Sequence, residues 1–346
     1  MSRIIKPVPS FSPRQLFARG RQGVWCEPGP TQCFTDTAGT TPATAGQAVA
    51  KITELSAGRS VIQSTAANRP TLSARYTLLE YSDTFNTAFW SAIRIPGIVS
   101  TNNVAPDGSN TAYRFNYTAI YQSFTTPELP TGTYLLSFWA KVESGTKTYH
   151  LVDSNGTRLV TTFVLTTSWQ FFRYSWTVIS NGTIAILQER EATGFVNTYL
   201  WHPDLRIYST PSGIPPYQRI AAATDYDTTG FPWRLVHNGT DYLTATLPAL
   251  SGGNYSTTAS VYFGTPQGMS SLHNQSIGTS YNLTAPNTDV YDGWVVVPSR
   301  LTPPEEEQLA RYFRAKAGIV GSEAFLYEQG YGFLTADNGK YRLLRR

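Results

Sequence analysis

The chain has 346 residues, 41% of them hydrophobic and only 14% charged, with a formal net charge of +4. A composition low in charge and rich in Gly, Pro, Ser and Thr argues against a cytosolic α/β enzyme and for a loop-rich all-β protein of an extracellular surface or a virus particle. A net charge this small, over enough chain for two domains, gives no reason to expect nucleic acid as a partner.

No apolar run approaches the ~18 residues of a membrane span, so no membrane insertion is expected. The N-terminal run Met1-Ser-Arg-Ile-Ile-Lys-Pro-Val-Pro9 lacks the apolar stretch of a secretory signal. Residues 1–21 carry Arg3, Lys6, Arg14, Arg19 and Arg21 and no acid, and Pro7, Pro9 and Pro13 favour an extended path. They read either as a solvated tail or, the favoured reading, as an arm that docks on an acidic partner, with Arg3, Lys6 and Arg14 as its contact residues.

Strands and loops follow over residues 22–77, among them Gly23-Val-Trp-Cys26 and Ala48-Val-Ala-Lys-Ile52. Cys26 and Cys33 lie seven positions apart in a Pro/Gly loop. They could close a local disulfide worth about 2–3 kcal/mol, or stay as two free thiols if the protein assembles in a reducing compartment. The segment Phe34–Leu72 carries Asp36, Gly39 to Pro42, Val49, Ser56, Gly58, Gln63, Ala66, Ala67 and Arg69 to Leu72. In that order these residues closely resemble the opening of a laminin-G/concanavalin-like domain of bacteriophage proteins. The resemblance implies a sandwich whose second half lies further along the chain.

From Leu78 to Tyr208 the sequence changes to short aromatic runs between turn residues. Tyr134-Leu-Leu-Ser-Phe-Trp-Ala-Lys-Val142 alternates as a strand does. Tyr134, Leu136, Phe138, Ala140 and Val142 share a core face, and Leu135, Ser137, Trp139 and Lys141 the other. A tryptophan beside a hydroxyl and an ammonium makes a flat platform with directional polar neighbours, suited to a sugar ring. The alternative is that Trp139 is covered by a loop or by the other domain. Thr148–Val152 and Thr157–Val164 flank the turn Asp153-Ser-Asn-Gly156. Trp169–Val178 places Phe172, Tyr174, Trp176 and Val178 on one face and Phe171 and Arg173 on the other. Thr183–Leu187 follows the turn Asn181-Gly182. Upstream, Tyr113, Phe115 and Tyr117 share a face, with Tyr121 and Phe124 on the next strand. By alternation Tyr149, Phe171 and Arg173 join Trp139, Lys141 and Ser137 as candidate carbohydrate-binding residues.

Evenly spaced strands with turn chemistry between them read as an antiparallel sandwich. The motifs "LLEYSDTFNTAFWSA", "VAPDGSNTAYRF", "GTYLLSFWAKVESGT" and "TTSWQFFRYSWTV" resemble, in order, the carbohydrate-binding-type jelly-roll modules of phage structural proteins. In related modules the "APDG" region can hold a structural calcium, which would place Asp107 near such a site. One carboxylate is a thin ligand set for an ion that takes six to eight oxygens. No other cofactor is expected.

Tyr217–Pro232 resembles the point at which such chains return to the interrupted laminin-G-like domain. The next motif, His237-Asn-Gly-Thr-Asp-Tyr-Leu243, lacks two acids of the family pattern, which weakens any metal or ligand role there. Ala259–Phe263 and Gly293–Val297 read as strands, fewer than a full sandwich needs, so this half reads as abbreviated. Thr302-Pro-Pro-Glu305 opens a helix with a capping box, an apolar stripe of Leu309, Tyr312 and Phe313, and Gly318 as its stop. Asn338-Gly339 predicts a hairpin between Tyr331–Leu334 and Tyr341–Leu344, read as an oligomer or virion contact.

The expected fold is therefore all-β: two β-sandwiches, a C-terminal helix and a terminal hairpin. The expected domains are an arm over 1–21, a laminin-G-like sandwich over 22–77 plus 209–318, a jelly roll over 78–208 and an extension over 319–346. Asp225 and Asp227 form the one close acid pair inside a motif. Glycosidase carboxylates straddle a bond at roughly 5–10 Å with one pKa raised, and this pair lies in a segment that matches a structural motif. The four histidines, His150, His202, His237 and His273, are scattered without metal or triad spacing. The resemblance implies a virion structural protein: a tail-fibre or head-fibre adhesin that binds host surface polysaccharide without cleaving it, as an oligomer, with a trimer the usual form for fibres. The alternatives are a capsid or tail decoration protein without glycan binding, and a polysaccharide depolymerase.

Overall fold

A computed structural model of the chain describes residues 11–85, 90–93, 98–115, 119–124, 132–153, 158–178, 182–188, 196–207, 217–222, 225–237, 240–246, 255–266, 268–283, 290–317, 331–336 and 340–345. Its strands, in chain order, begin with β1 (Val24–Cys26), β2 (Cys33–Phe34), β3 (Lys51–Thr53), β4 (Ser60–Ile62) and β5 (Thr71–Ser73). There follow β6 (Trp90–Ile93), β7 (Ile98–Asn103), β8 (Ala112–Phe115), β9 (Ala119–Phe124), β10 (Gly132–Val142), β11 (Lys147–Asp153), β12 (Arg158–Leu165), β13 (Gln170–Val178), β14 (Gly182–Gln188) and β15 (Thr198–Ile207). The last third holds β16 (Arg234–Val236), β17 (Leu243–Thr246), β18 (Tyr255–Thr265), β19 (Gly268–Ile277), β20 (Ser280–Leu283), β21 (Val290–Tyr291), β22 (Gly293–Val297), helix α1 (Pro303–Lys316), β23 (Tyr331–Ala336) and β24 (Lys340–Arg345). The protein is all-β, and its sheets are antiparallel.

The chain forms two compact units, 1–74 with 209–214 and 230–346, and 75–208 with 215–229. The first unit holds sheets of order β1-β22-β18-β19, β2-β3-β4-β17-β20 and β21-β16-β5. One core joins all three, through Val24, Cys26, Phe263 and Trp294, then Ile52, Val61 and Ala245, then Leu72, Leu235 and Tyr291. The four-stranded sheet is apolar on both faces. Its far face carries Trp25, Tyr262, Val295 and Val297, and α1 covers it with Leu309 and Phe313. This explains the continuous apolar run Trp294–Val297, which has no alternation because neither face meets water. Strands β17, β19 and β20 add to a half that reads as abbreviated from sequence, and β19 and β20 are hard to read as strands because they are rich in Ser, Asn, Gln and His.

Helix α1 starts where its caps put it. The Glu305 carboxylate accepts the Thr302 backbone N–H at 2.9 Å, and acids in the first turn suit the helix dipole. Gly318, read as its stop, lies outside the described residues, as does the turn Asn338-Gly339. The terminal strands β23 and β24 pair with each other, from Tyr331↔Arg345 to Ala336↔Lys340.

The segment around Asp36 is a loop held by its own hydrogen bonds. The Asp36 carboxylate accepts N–H bonds from Gly39 and Thr41 at 2.7 Å each and from Thr40 at 3.2 Å, plus the Thr40 hydroxyl at 3.1 Å. These donors hold its pKa far below the usual carboxylate range. Gly39 sits at φ +80°, where a side chain is strained. Arg69 spans the carbonyls of Gln63, Thr35 and Ser64.

The second unit is a sandwich of two five-stranded sheets, β13-β10-β15-β8-β7 and β12-β11-β14-β9-β6. Its core is the set that alternation predicts. Tyr134, Leu136, Phe138, Ala140 and Val142 of β10 meet Tyr149, Leu151, Phe163 and Leu165 from the opposite sheet, with Phe172, Tyr174 and Trp176 alongside. The side chains of Tyr117, Tyr121, Phe124 and Val178 lie outside the described residues. Of the described residues, 217–222 and 225–229 belong to this unit, whereas the resemblance puts Tyr217–Pro232 at the return to the interrupted domain. Fully buried Gln218 accepts the Tyr76 N–H at 2.7 Å and donates to the Asp227 carbonyl at 2.6 Å.

Candidate functional site

The outward face of the β13-β10-β15-β8-β7 sheet collects the candidate residues. Register fixes who meets whom, since cross-strand partners share a face. Trp139 on β10 lies opposite Phe171 on β13 and opposite Trp201 on β15. Three aromatic side chains thus form a row across three adjacent strands, roughly 10 Å from end strand to end strand. The Trp139 and Phe171 rings sit 5.2 Å apart, tilted by 53°. Trp139, Phe171 and Trp169 keep part of their surface exposed, while Trp201 is 9% exposed. Trp139 and Trp169 rest against a small apolar cluster of Ala105, Ala112 and Trp201, separate from the main core.

On one side of this row stand Lys141 and Tyr199, which are register partners. The Lys141 ammonium lies 4.8 Å from the Tyr199 ring centre and 5.2 Å from that of Trp169, within cation–π range. Arg114, opposite Tyr199 on β8, pairs with Glu143 at 3.4 Å. On the other side stand Ser137 and its partners Arg173 and Asp204. Arg206 chelates Asp204 through two bonds of 2.7 and 2.8 Å.

Trp201 reaches this face because of a β-bulge. Two steps of β10, Ser137 to Trp139, face three steps of β15, Trp201 to Asp204. The extra residue is taken up at His202, whose φ of +51° is left-handed, beside Pro203. A proline inside a paired strand is confined to such irregularities. The His202 ring is stacked between Trp201 and Tyr217, with ring centres 3.5 and 3.7 Å away. Burial in this stack pushes the imidazole pKa down to about 4.

The "APDG" turn supports the same tryptophan. Asp107 accepts the Ser109 N–H at 2.9 Å and its hydroxyl at 2.7 Å. Ser109 contacts the Thr111 hydroxyl at 2.6 Å, and Thr111 accepts the Trp201 indole N–H at 2.8 Å. The exposed Asp107 carboxylate is thus a turn brace. Its donor set does not fit a calcium cage, and among the described residues no group of three or more His, Cys, Asp or Glu could hold a metal ion.

Of the sequence candidates, Trp139, Lys141, Ser137, Phe171 and Arg173 share this face. Tyr149 does not, which corrects the expectation. It belongs to β11 in the opposite sheet, points into the core at 2% exposure, and its hydroxyl meets that of Thr198 at 2.6 Å. Sequence reasoning missed Tyr199, Trp201, Trp169 and Arg114. The alternation Tyr199-Leu-Trp201 was a usable signal, masked by Pro203.

The remaining candidates fall elsewhere. Cys26 and Cys33 are both fully buried and both free, so the disulfide is not formed. Burial raises both thiol pKa values, that of Cys33 to about 12. Arg3 and Lys6 lie outside the described residues. Arg14 is exposed on a short 3-10 turn, Pro13–Phe17, and Leu16 packs with the α1 cluster. Asp225 and Asp227 are both held by one guanidinium, that of Arg219, at 2.9 and 3.2 Å. Arg219 keeps the Asp225 pKa low, the reverse of what a general acid needs.

No family model matches this chain, and no curated protein matches it. Solved structures similar to it include the CBM22-1 xylan-binding domain of Xyn10C from Paenibacillus barcinonensis, at 15% identity and a TM-score of 0.29, covering 38% of this chain and 91% of that one. A structure described as "CBM4 structure and function" matches at 14% identity and TM-score 0.24, over 42% and 91% of the two chains. The tripod BppUct-A-L from the baseplate of bacteriophage Tuc2009 matches at 12% identity and TM-score 0.22, over 61% and 96%. At these scores the likenesses add nothing to the geometry above.

Proposed function

We propose that this protein binds host surface polysaccharide without cleaving it, as a structural component of a bacteriophage particle on a tail or head fibre. The observation that carries the binding half is the pair of partly exposed rings Trp139 and Phe171, backed by the buried Trp201, with the Lys141 ammonium on one side and the Ser137 hydroxyl and Arg173 guanidinium on the other. Flat apolar faces beside fixed polar groups are what a pyranose ring needs. The phage assignment is supported by the sequence resemblance of both domains. A single shallow site would bind at about millimolar strength, and copies on one appendage would multiply that roughly 10²–10⁴-fold, which is the reason to expect an oligomer, a trimer in the first instance. Arg3, Lys6 and Arg14 would serve attachment to other virion proteins.

The test is binding of the purified protein to intact host cells, wild type beside Trp139→Ala, with cells stripped of surface polysaccharide as control. Loss of binding on both mutation and stripping, with the variant still folded, supports the adhesin. Binding by neither protein removes it.

One observation favours a second reading, a capsid or tail decoration protein. An isolated two-stranded hairpin is marginal in water, and β23–β24 forms such a sheet, so a neighbouring subunit is a natural partner for it. A polysaccharide depolymerase is disfavoured by the Arg219 clamp on Asp225 and Asp227.

A further inference from the structure

We infer that the polysaccharide taken by this face is anionic, with acidic groups held on both sides of the aromatic row. The inference rests on the glycan-binding reading above and gives it a substrate class. It comes from a charge count on the face. Two of its four cations are internally neutralised, Arg114 by Glu143 and Arg206 by Asp204. The other two, Lys141 and Arg173, have no carboxylate partner among the described residues.

Each is placed as an anion receptor. Lys141 is held by the Trp169 and Tyr199 rings, which fix an ammonium without consuming its charge. The nearest carboxylate along its own strand face, Glu143, is already engaged by Arg114, Asn197 and Tyr199. Arg173 is only half-buried on this face, and a carboxylate or phosphate is the partner that a guanidinium recognises best. Lys141 and Arg173 flank the row on opposite sides, since Arg173 pairs with Ser137 and Lys141 lies four residues further along β10. Their Cα atoms are roughly 14 Å apart. A neutral glycan would leave both cations facing it unmatched, whereas a chain with repeated acidic groups satisfies both while its sugars cover Trp139 and Phe171.

The experiment measures binding of the full-length protein to immobilised polysaccharides of matched length. Polygalacturonate, alginate and hyaluronate supply carboxylates, poly(glycerol phosphate) supplies phosphodiesters, and xylan, galactan and β-glucan are neutral. Wild type is compared with Trp139→Ala, with Lys141→Gln/Arg173→Gln, and with the single conservative variant Lys141→Arg, each checked for an unchanged thermal transition. The expected result is binding to at least one acidic polymer that weakens at least tenfold in Trp139→Ala and in the double glutamine variant, is retained in Lys141→Arg, and falls as salt rises. The carboxylate and phosphodiester arms then tell which acid is preferred. Binding of a neutral polymer that needs Trp139 but is unaffected by the double variant overturns the anionic inference and leaves the glycan reading intact. Binding of no polymer, or binding indifferent to Trp139→Ala, overturns both.

Discussion

Strand β10 has two faces that are built in different ways. The inner face, Tyr134, Leu136, Phe138, Ala140 and Val142, is buried throughout and packs against the facing sheet. The outer face, Ser137, Trp139 and Lys141, stays partly open and takes its character from residues far away in sequence, Phe171, Arg173, Tyr199 and Trp201. An inner face is decided by one strand's own alternation, because a core accepts any apolar neighbour of the right volume. An outer face with a binding role depends on which strands lie beside it and in what register.

Removing the Phe138 ring is the severest way to break this contrast. Phe138→Ala should lower the unfolding free energy by about 3–5 kcal/mol, read from urea denaturation. A loss below about 1 kcal/mol would mean the inner face is not the core described.

The His202 stack gives a pH signature. Its folded pKa of about 4 lies below the ordinary 6.5, so between these values the unfolded chain binds a proton that the native protein refuses. Stability is then full above pH 6.5 and declines as the pH falls toward 4. After allowance for the ring's partial exposure the loss should be about 1–2 kcal/mol. The check is the difference between wild-type and His202→Gln unfolding free energies across that range. A difference that does not vary with pH would refute the stack.

Tyr149→Phe separates the two faces from the other side. It should cost about 1 kcal/mol through the lost contact with Thr198 and leave binding to cells unchanged. Reduced binding with unchanged stability would return Tyr149 to the outer face. Trp139→Ala should have only a modest effect on stability, below about 1.5 kcal/mol for a partly exposed ring, and be the variant that loses binding. A loss of several kcal/mol would make Trp139 a core residue.

The all-β class, the inner faces of β10 and β13, and helix α1 were legible because each is written in local periodicity or capping chemistry. Trp139, Phe171 and Arg173 were legible by the same alternation. Tyr149 was not, because alternation says which residues of a strand share a face but not which sheet the strand joins. Trp201 and Tyr199 were hidden by Pro203, which argues against a central strand until the bulge is seen. The most specific motif, around Asp36, proved to encode loop hydrogen bonds, a use that no periodicity reports. The Arg219 clamp was unreadable for a related reason, since a guanidinium six and eight residues upstream of two acids is placed by a turn rather than by a strand.

The bulge at His202 also bears on how this chain can change over generations. Strand β15 carries one residue more than its neighbour β10 between Trp201 and Asp204. Losing that one codon would leave a regular strand, with Trp201 and Asp204 still outward and Leu200 and Leu205 still inward, because a single deletion at a bulge restores the two-residue phase instead of inverting it. A gene copying error of three nucleotides is normally ruinous inside a paired strand. Here the strand holds slack at one defined place, and the surface on either side of it can diversify while its length drifts.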